Sequence, residues 1–192
     1  MKNADLYFKN TKDAIPHNEV KKFIENNNKT GVAIDLGCGA GRDTIFLLKN
    51  GWNVTAIDVE TTENYIKNSL SKEEITRLTF INENFSKAEF PKSDLVIAYN
   101  SLPFVKKENF TKIWDKVENC INSGGFFIGT FWGVNDSWNT PQDFRRFMTK
   151  DEVINLFEKF DIVKLEESEK DGISANKKPK HWHTFEIVAK RN

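Results

Sequence analysis

Three glycines at alternate positions, Gly37, Gly39 and Gly41, stand in the run Asp35-Leu36-Gly37-Cys38-Gly39-Ala40-Gly41. Glycine lets backbone turn tightly and lets a ligand approach it closely. An apolar segment precedes the run and a segment of helical period follows from Arg42, so it reads as a strand-to-helix turn. The pyrophosphate pattern G-x-G-x-x-G, counted from Gly37, requires glycine where Arg42 stands, and fails. Asp35, beside the loop, would repel a pyrophosphate and suits a ligand with an ammonium or sulfonium centre. Asp58 ends the next apolar run, 21 residues past Gly37, where a carboxylate accepts hydrogen bonds from ribose hydroxyls. A ligand-free glycine turn and a solvated strand-end carboxylate are the bland alternatives. The two features at this distance favour the ligand.

A second set lies late in the chain. His181 and His183 are two apart in a strand-like run and so share one face, with Trp182 on the other. Three readings stay open: they shape a substrate pocket or act as a base, they hold the sheet end by hydrogen bonds, or they bind a metal. Two histidines alone rarely close a metal site. Trp132, Trp138 and Trp182 form either an aromatic cage or ordinary packing. Arg145-Arg146 is either a solvated surface or a contact to an anionic substrate. Cys38, inside the loop, reads as a small packing residue.

The elements that must position these residues follow from apolar runs. Gly31–Leu36, Asn53–Asp58, Leu78–Asn82, Asp94–Tyr99 and Gly125–Thr130 are short and continuous, as in strands covered on both faces. Helical segments alternate with them: Asn18–Asn26, Arg42–Lys49, Thr62–Leu70 and Lys106–Ile121. Thr149-x-x-Glu152 forms a capping box for a helix through Phe157. Two further strands, Asp161–Leu165 and Thr184–Ala189, have no helix between them and predict a hairpin. The alternation predicts a parallel sheet with right-handed crossovers and an antiparallel last strand. Ligands in such sheets sit beyond the carboxyl ends of the strands. The fourth strand delivers Asn100 and Phe104 there, the fifth delivers Trp132, and the last strand begins there with His181. The polar connection Glu166–Lys180 is expected to arch over the site as a lid.

Composition bounds the rest. The chain has 192 residues, 39% hydrophobic and 29% charged, with 28 basic and 28 acidic side chains. That is one globular domain in size. Zero net charge argues against a dedicated nucleic-acid binder. Two cysteines make no disulfide framework, and no apolar run spans a bilayer or forms a signal peptide. A cytoplasmic protein with a small-molecule partner, no nucleic acid and no membrane is expected, as a monomer or homodimer.

The run Asp35-Leu36-Gly37-Cys38-Gly39-Ala40-Gly41-Arg42-Asp43, with its later acidic strand end, resembles class I S-adenosylmethionine-dependent methyltransferases. Ile81-Asn82-Glu83-Asn84-Phe85, Ser93–Asn100 and Ser123-Gly124-Gly125 fall in the order of that family's later motifs. Gly41-Arg42-Asp43, Ser101-Leu102-Pro103-Phe104 and Lys180-His181-Trp182-His183 resemble the small bacterial tellurite-resistance and thiopurine-type group. The resemblance covers nearly the whole chain. It implies a three-layer α/β sandwich around a mostly parallel seven-stranded sheet, the Rossmann-like methyltransferase fold. It implies one domain over residues 1–192, with 1–30 as an N-terminal lid and helix and 31–192 as the cofactor-binding core. S-adenosylmethionine is the implied cofactor and S-adenosylhomocysteine its product. Asp35, Gly37, Gly39, Gly41, Asp58, Asn84, Phe85 and Tyr99 are implied to hold it. Asn84 stands where many members carry aspartate. The resemblance adds Tyr7 to a substrate pocket that the strand ends already assign to Asn100, Phe104, Trp132 and Arg145, with His181 and His183 as catalytic candidates and no metal expected.

The reading is a methyltransferase acting on a small thiol, metalloid oxyanion or similar acceptor by in-line displacement. A module that binds the cofactor without turnover, as sensor or partner, is the alternative. A nicotinamide oxidoreductase is disfavoured by Arg42.

Overall fold

The computed structural model describes Phe8, Thr11 and residues 14–27, 29–174 and 177–192. Tyr7 and the rest of the 1–7 segment lie outside the described residues.

Helix α1 (Asn18–Asn26) leads into strand β1 (Val32–Leu36), followed by α2 (Arg42–Lys49) and β2 (Asn53–Asp58). Two short helices, α3 (Glu63–Lys67) and α4 (Lys72–Ile75), precede β3 (Leu78–Asn82). Then come β4 (Ser93–Ala98), a 3-10 turn (Leu102–Phe104), α5 (Lys107–Cys120) and β5 (Ile121–Gly133). The chain closes with β6 (Phe147–Met148), α6 (Lys150–Leu156), β7 (Phe160–Ile173) and β8 (Pro179–Arg191). Asn18 is the first residue of α1, and His17 takes the N-cap position without a side-chain cap bond. The Thr149 box forms as the spacing predicts: Thr149 Oγ1 accepts from Glu152 N at 3.2 Å and Glu152 Oε2 from Thr149 N at 2.8 Å.

The sheet order is β3-β2-β1-β4-β5-β8-β7, with β6 pairing on β5. Strands β1 to β5 run parallel, and β8 pairs antiparallel with both β5 and β7. Alternate residues of one strand enter different cores, which is why the strands read as unbroken apolar runs. Ile34 and Leu36 of β1 join Val96, Phe127 and Phe185 under α5 and α6, around Trp114 and Phe157. Ala33 packs on the other side with Leu47, Leu48, Trp52 and Ile66. Helices therefore cover both faces of one mixed sheet, the three-layer sandwich. No helix among the described residues is long and apolar enough to cross a membrane.

The expected lid is not a loop. Glu166–Lys180 is mostly strand: β7 and β8 pair from Glu166↔Glu186 to Ile173↔Pro179, making a ribbon that runs past Trp132↔Thr184, where β5 leaves β8. The ribbon lacks apolar alternation because its β7 half is exposed on both faces and polar residues, Lys180 and His183, take the buried positions of its β8 half. Cross-strand polar pairs hold it instead, with His181 between Asp171 and Glu169 and His183 against Glu167.

Candidate active site

Parallel strands β1, β2, β4 and β5 end on one edge, and the order reverses between β1 and β4, leaving a crevice between their connections. A cavity of about 980 Å³ opens there. The glycine loop, Asp58 and Asn84 line one end, and Asn100, Phe104, Trp132, Trp138, Phe144 and Trp182 the other.

The glycine loop needs its glycines. Gly37, Gly39 and Gly41 have φ of 72°, 56° and 89°. Gly37 N and Cys38 N donate to Ile57 O at 2.8 and 3.2 Å, fastening the loop to the end of β2. Asp58 finishes the job: its Oδ2 accepts from Gly39 N and its Oδ1 from Glu60 N, both at 2.9 Å. Each oxygen keeps a second lone pair for a ligand hydroxyl. Asn84 Oδ1 accepts from Ser86 N at 2.9 Å. Phe85 and Tyr99 also line the cavity.

Asp35 is buried and accepts from Thr44 Oγ1 at 2.6 Å. Burial first, and then the neighbouring Asp43 charge, push its carboxyl up to about 8. In the unfolded chain it titrates near about 4, so the folded protein retains a proton that the unfolded chain gives up. That stabilisation is complete below about 4 and is lost as pH rises through about 8. Asp35→Asn is therefore expected to gain Tm relative to the parent as pH rises across this window. A constant difference between the two proteins at every pH would contradict it.

His17 is a wall residue that spacing alone did not place. Its backbone N and ring Nδ1 both bond Asp43, at 2.8 and 2.6 Å, while Arg42 Nη1 sits 3.0 Å from Nε2. A guanidinium only donates, so Nε2 accepts and the ring donates from Nδ1 to Asp43. Tyr99 stacks on the imidazole at 3.6 Å, and its hydroxyl donates to Glu186 at 3.0 Å. The start of α1 is thereby tied over the start of α2. The only sequence signal for His17 is its position just before a helix.

At the other end, Asn100 sits at φ 51°, a left-handed conformation that side chains seldom adopt. Asn100 N donates to Thr130 Oγ1 at 2.8 Å and Trp132 Nε1 donates to Asn100 Oδ1 at 3.0 Å, which hold it there. Ser101 Oγ is buried at the cavity wall and has no hydrogen-bond partner among the described residues. Phe104 and Trp132 line the space as expected. Arg145 does not: it bonds Asp143 and lies 4.3 Å from the Trp138 ring, behind the wall. Lys180, also behind it, pairs with buried Asp136 and lies 4.0 Å from Trp138 and 4.2 Å from Trp182. The aromatic cluster thus already packs on two cations of the protein itself.

The histidine pair falls on the other side of the ribbon. Trp182 lines the cavity, and His181 and His183 do not. His183 is 3% exposed and wedged where a Cβ on Gly133 would lie 2.2 Å from its Nδ1. That Nδ1 accepts from Asn135 N at 3.1 Å, which places the ring proton on Nε2, facing Glu167 at 3.1 Å. His181 lies between Asp171 at 2.7 Å and Glu169 at 3.1 Å, and these carboxylates raise its pKa. Among the described residues no three His, Cys, Asp or Glu side chains gather as a metal site.

The family model for "Tellurite resistance protein TehB" matches residues 1–176. The chain belongs to the TehB family. No curated protein matches the chain in sequence. Among solved structures, TehB from Haemophilus influenzae superposes with a TM-score of 0.79 at 17% identity, over 96% of this chain and 65% of that one. This chain therefore spans about two thirds of the length of that protein. A Burkholderia thailandensis 1,6-didemethyltoxoflavin-N1-methyltransferase, solved with 1,6-didemethyltoxoflavin and S-adenosylhomocysteine, gives 0.68 at 17% identity, over 91% of this chain and 77% of that one. A SAM-dependent methyltransferase from Methanosarcina mazei gives 0.69 at 16%, over 92% and 98%. At these identities the likeness is one of fold: the TehB-family chain has the class I methyltransferase fold.

Proposed function

We propose that this TehB-family chain transfers a methyl group from S-adenosylmethionine to a small-molecule acceptor, as a single methyltransferase domain. One observation carries the reading: a single cavity runs from the glycine loop and Asp58 to the aromatic end. The residues present fit the cofactor. Asp35 offers a buried carboxyl group that would give up its proton to pair with an ammonium group, Asp58 offers lone pairs for hydroxyls, and Ser101 Oγ, without a hydrogen-bond partner among the described residues, awaits a polar group. Gly37 leaves no room for its own side chain, since a Cβ there would lie 2.4 Å from Ser101 Cβ.

When bound, S-adenosylmethionine supplies an electrophilic methyl group on a good leaving group. The protein's share is alignment and exclusion of water. The glycine loop and Asp58 fix the cofactor end. Asn100, pinned by Trp132 and Thr130, orients the acceptor at the end of β4. The ring walls exclude water. A base is needed only for an acceptor that arrives protonated. His181 and His183 take no part in the transfer, because their rings face away from the cavity. His181→Ala should accordingly keep the parental turnover. His183→Ala should lower Tm before it alters cofactor affinity, since it vacates the ring seat on Gly133. A loss of turnover in a folded His181→Ala protein would contradict this.

Thiols and metalloid oxyanions lie within the acceptor range of the reading. Free, buried Cys38 and Cys120 are in keeping with a reducing, cytoplasmic setting. Incubation with S-adenosylmethionine and a panel of thiols, selenite and tellurite tests the function. Acceptor-dependent release of S-adenosylhomocysteine is expected. Saturable binding with no release from any acceptor would favour a binding module.

A further inference from the structure

We propose that Lys116, which stands outside the cavity lining, positions the turn that receives the nucleobase of the cofactor. The proposal rests on the methyl-transfer reading and adds a positioning residue to it. Asp58 offers its lone pairs to the ribose hydroxyls, and the methyl group must face Asn100 at the other end. The base is joined across the ribose from the sulfur. It therefore falls beside Asn84, Phe85 and Ser86, which line the Asp58 end.

These three residues stand on a turn after β3, and hydrogen bonds hold the turn from two sides. On one side Glu83 N donates to Asp58 O at 3.1 Å. On the other, Lys116 Nζ donates to Phe85 O at 2.7 Å and also to Ala88 O. Among the described residues, the other hydrogen bonds of residues 84–88 stay within 83–88. Asn84 N donates to Glu83 Oε1, Ser86 N to Asn84 Oδ1, and Lys87 N and Ala88 N to Asn84 O. Such local bonds shape the turn without fixing where it stands. Phe85 and Ala88 also pack on the core, but apolar contact is non-directional. The ammonium of Lys116 supplies the direction.

Helix α5 carries it to the right place. Asn109, Ile113 and Lys116 follow one face of α5 at i, i+4 and i+7, and the first two line the cavity. The same ammonium lies 4.5 Å from the centre of the Phe90 ring, which meets Phe85 edge-on at 6.5 Å. Lys116 is half-buried, and burial first and then the Lys112 charge lower its pKa. It gives up part of its hydration to hold the two carbonyls.

The test compares Lys116→Met, Lys116→Gln and Lys112→Met with the parent, by calorimetry with S-adenosylhomocysteine and by its displacement with methylthioadenosine or S-ribosylhomocysteine. Methylthioadenosine keeps the base and lacks the amino-acid arm, whereas S-ribosylhomocysteine keeps the arm and lacks the base. Lys116→Met keeps an apolar stem and loses the donor. It should raise Kd about tenfold, the effect of one charged hydrogen bond, for both ligands that carry the base. S-ribosylhomocysteine should bind it as it binds the parent. Lys116→Gln keeps a donor and should fall between, and it carries the same comparison if the methionine variant does not fold. Lys112→Met, one turn earlier and exposed, should match the parent. A role in stability alone would lower Tm and leave all three affinities of the folded protein unchanged. That result, or an equal loss for S-ribosylhomocysteine, would overturn the proposal. The two readings fail separately. A parent protein that ignores S-adenosylhomocysteine overturns methyl transfer itself, and a parent that binds it no better than Lys116→Met does overturns only the role of Lys116.

Discussion

Gly37→Val is expected to abolish S-adenosylhomocysteine binding at concentrations that saturate the parent. Two physical effects add. Gly37 has φ +72°, a left-handed conformation that costs an L side chain about 1–2 kcal/mol. A Cβ there would lie 2.4 Å from Ser101 Cβ, and overpacking of that kind costs about 1–3 kcal/mol more. Ser101 has little freedom to yield, being buried and next to Asn100, which Trp132 and Thr130 hold. The loop must therefore move, and with it the Gly39 N–H that Asp58 anchors. Gly51→Val is the control. It has a similar φ of +83° but meets only Thr30 Cγ2, at 3.3 Å, and lies outside the cavity lining. It should lose stability and keep binding. Calorimetry on both variants, alongside Tm, separates strain from site damage. Parental affinity in Gly37→Val would mean that the loop does not cradle the ligand.

Asp58→Ala should weaken S-adenosylhomocysteine by about 1–3 kcal/mol, which is about 5- to 150-fold in Kd. The carboxylate does two jobs. It accepts from the N–H groups of Gly39 and Glu60, and it offers its remaining lone pairs to the ligand's hydroxyls. Alanine leaves both sets of donors unsatisfied. Asp58→Asn keeps one acceptor oxygen and should fall between the two. A titration showing unchanged affinity in Asp58→Ala would remove this residue from the site.

The parts legible in the sequence were those set by local chemistry. The glycine spacing, the strand-end Asp58 and the Thr149 box each require only near neighbours, and each formed where the residues placed it. Boundaries of α2 and β2 follow from the same signals. Long-range pairing was not legible. His17 reaches the cavity only because Asp43 and Arg42, in another helix, bind both of its ring nitrogens. The ribbon of β7 and β8 was hidden because charged pairs such as Asp171–His181 replace the apolar alternation that marks half-buried strands. The histidines show the limit most clearly. Spacing tells that His181 and His183 oppose Trp182, but not which face looks inward. The register of β8 on β5, with Thr184 beside Trp132, decides that. A shift by one residue would exchange the two faces.

Calorimetric titration of the purified chain with S-adenosylhomocysteine, with NAD titrated in parallel, tests the central claim most directly. The account predicts one S-adenosylhomocysteine per chain, an affinity that Asp58→Ala weakens, and no heat from NAD. Absence of S-adenosylhomocysteine binding, or tighter binding of NAD, would contradict it.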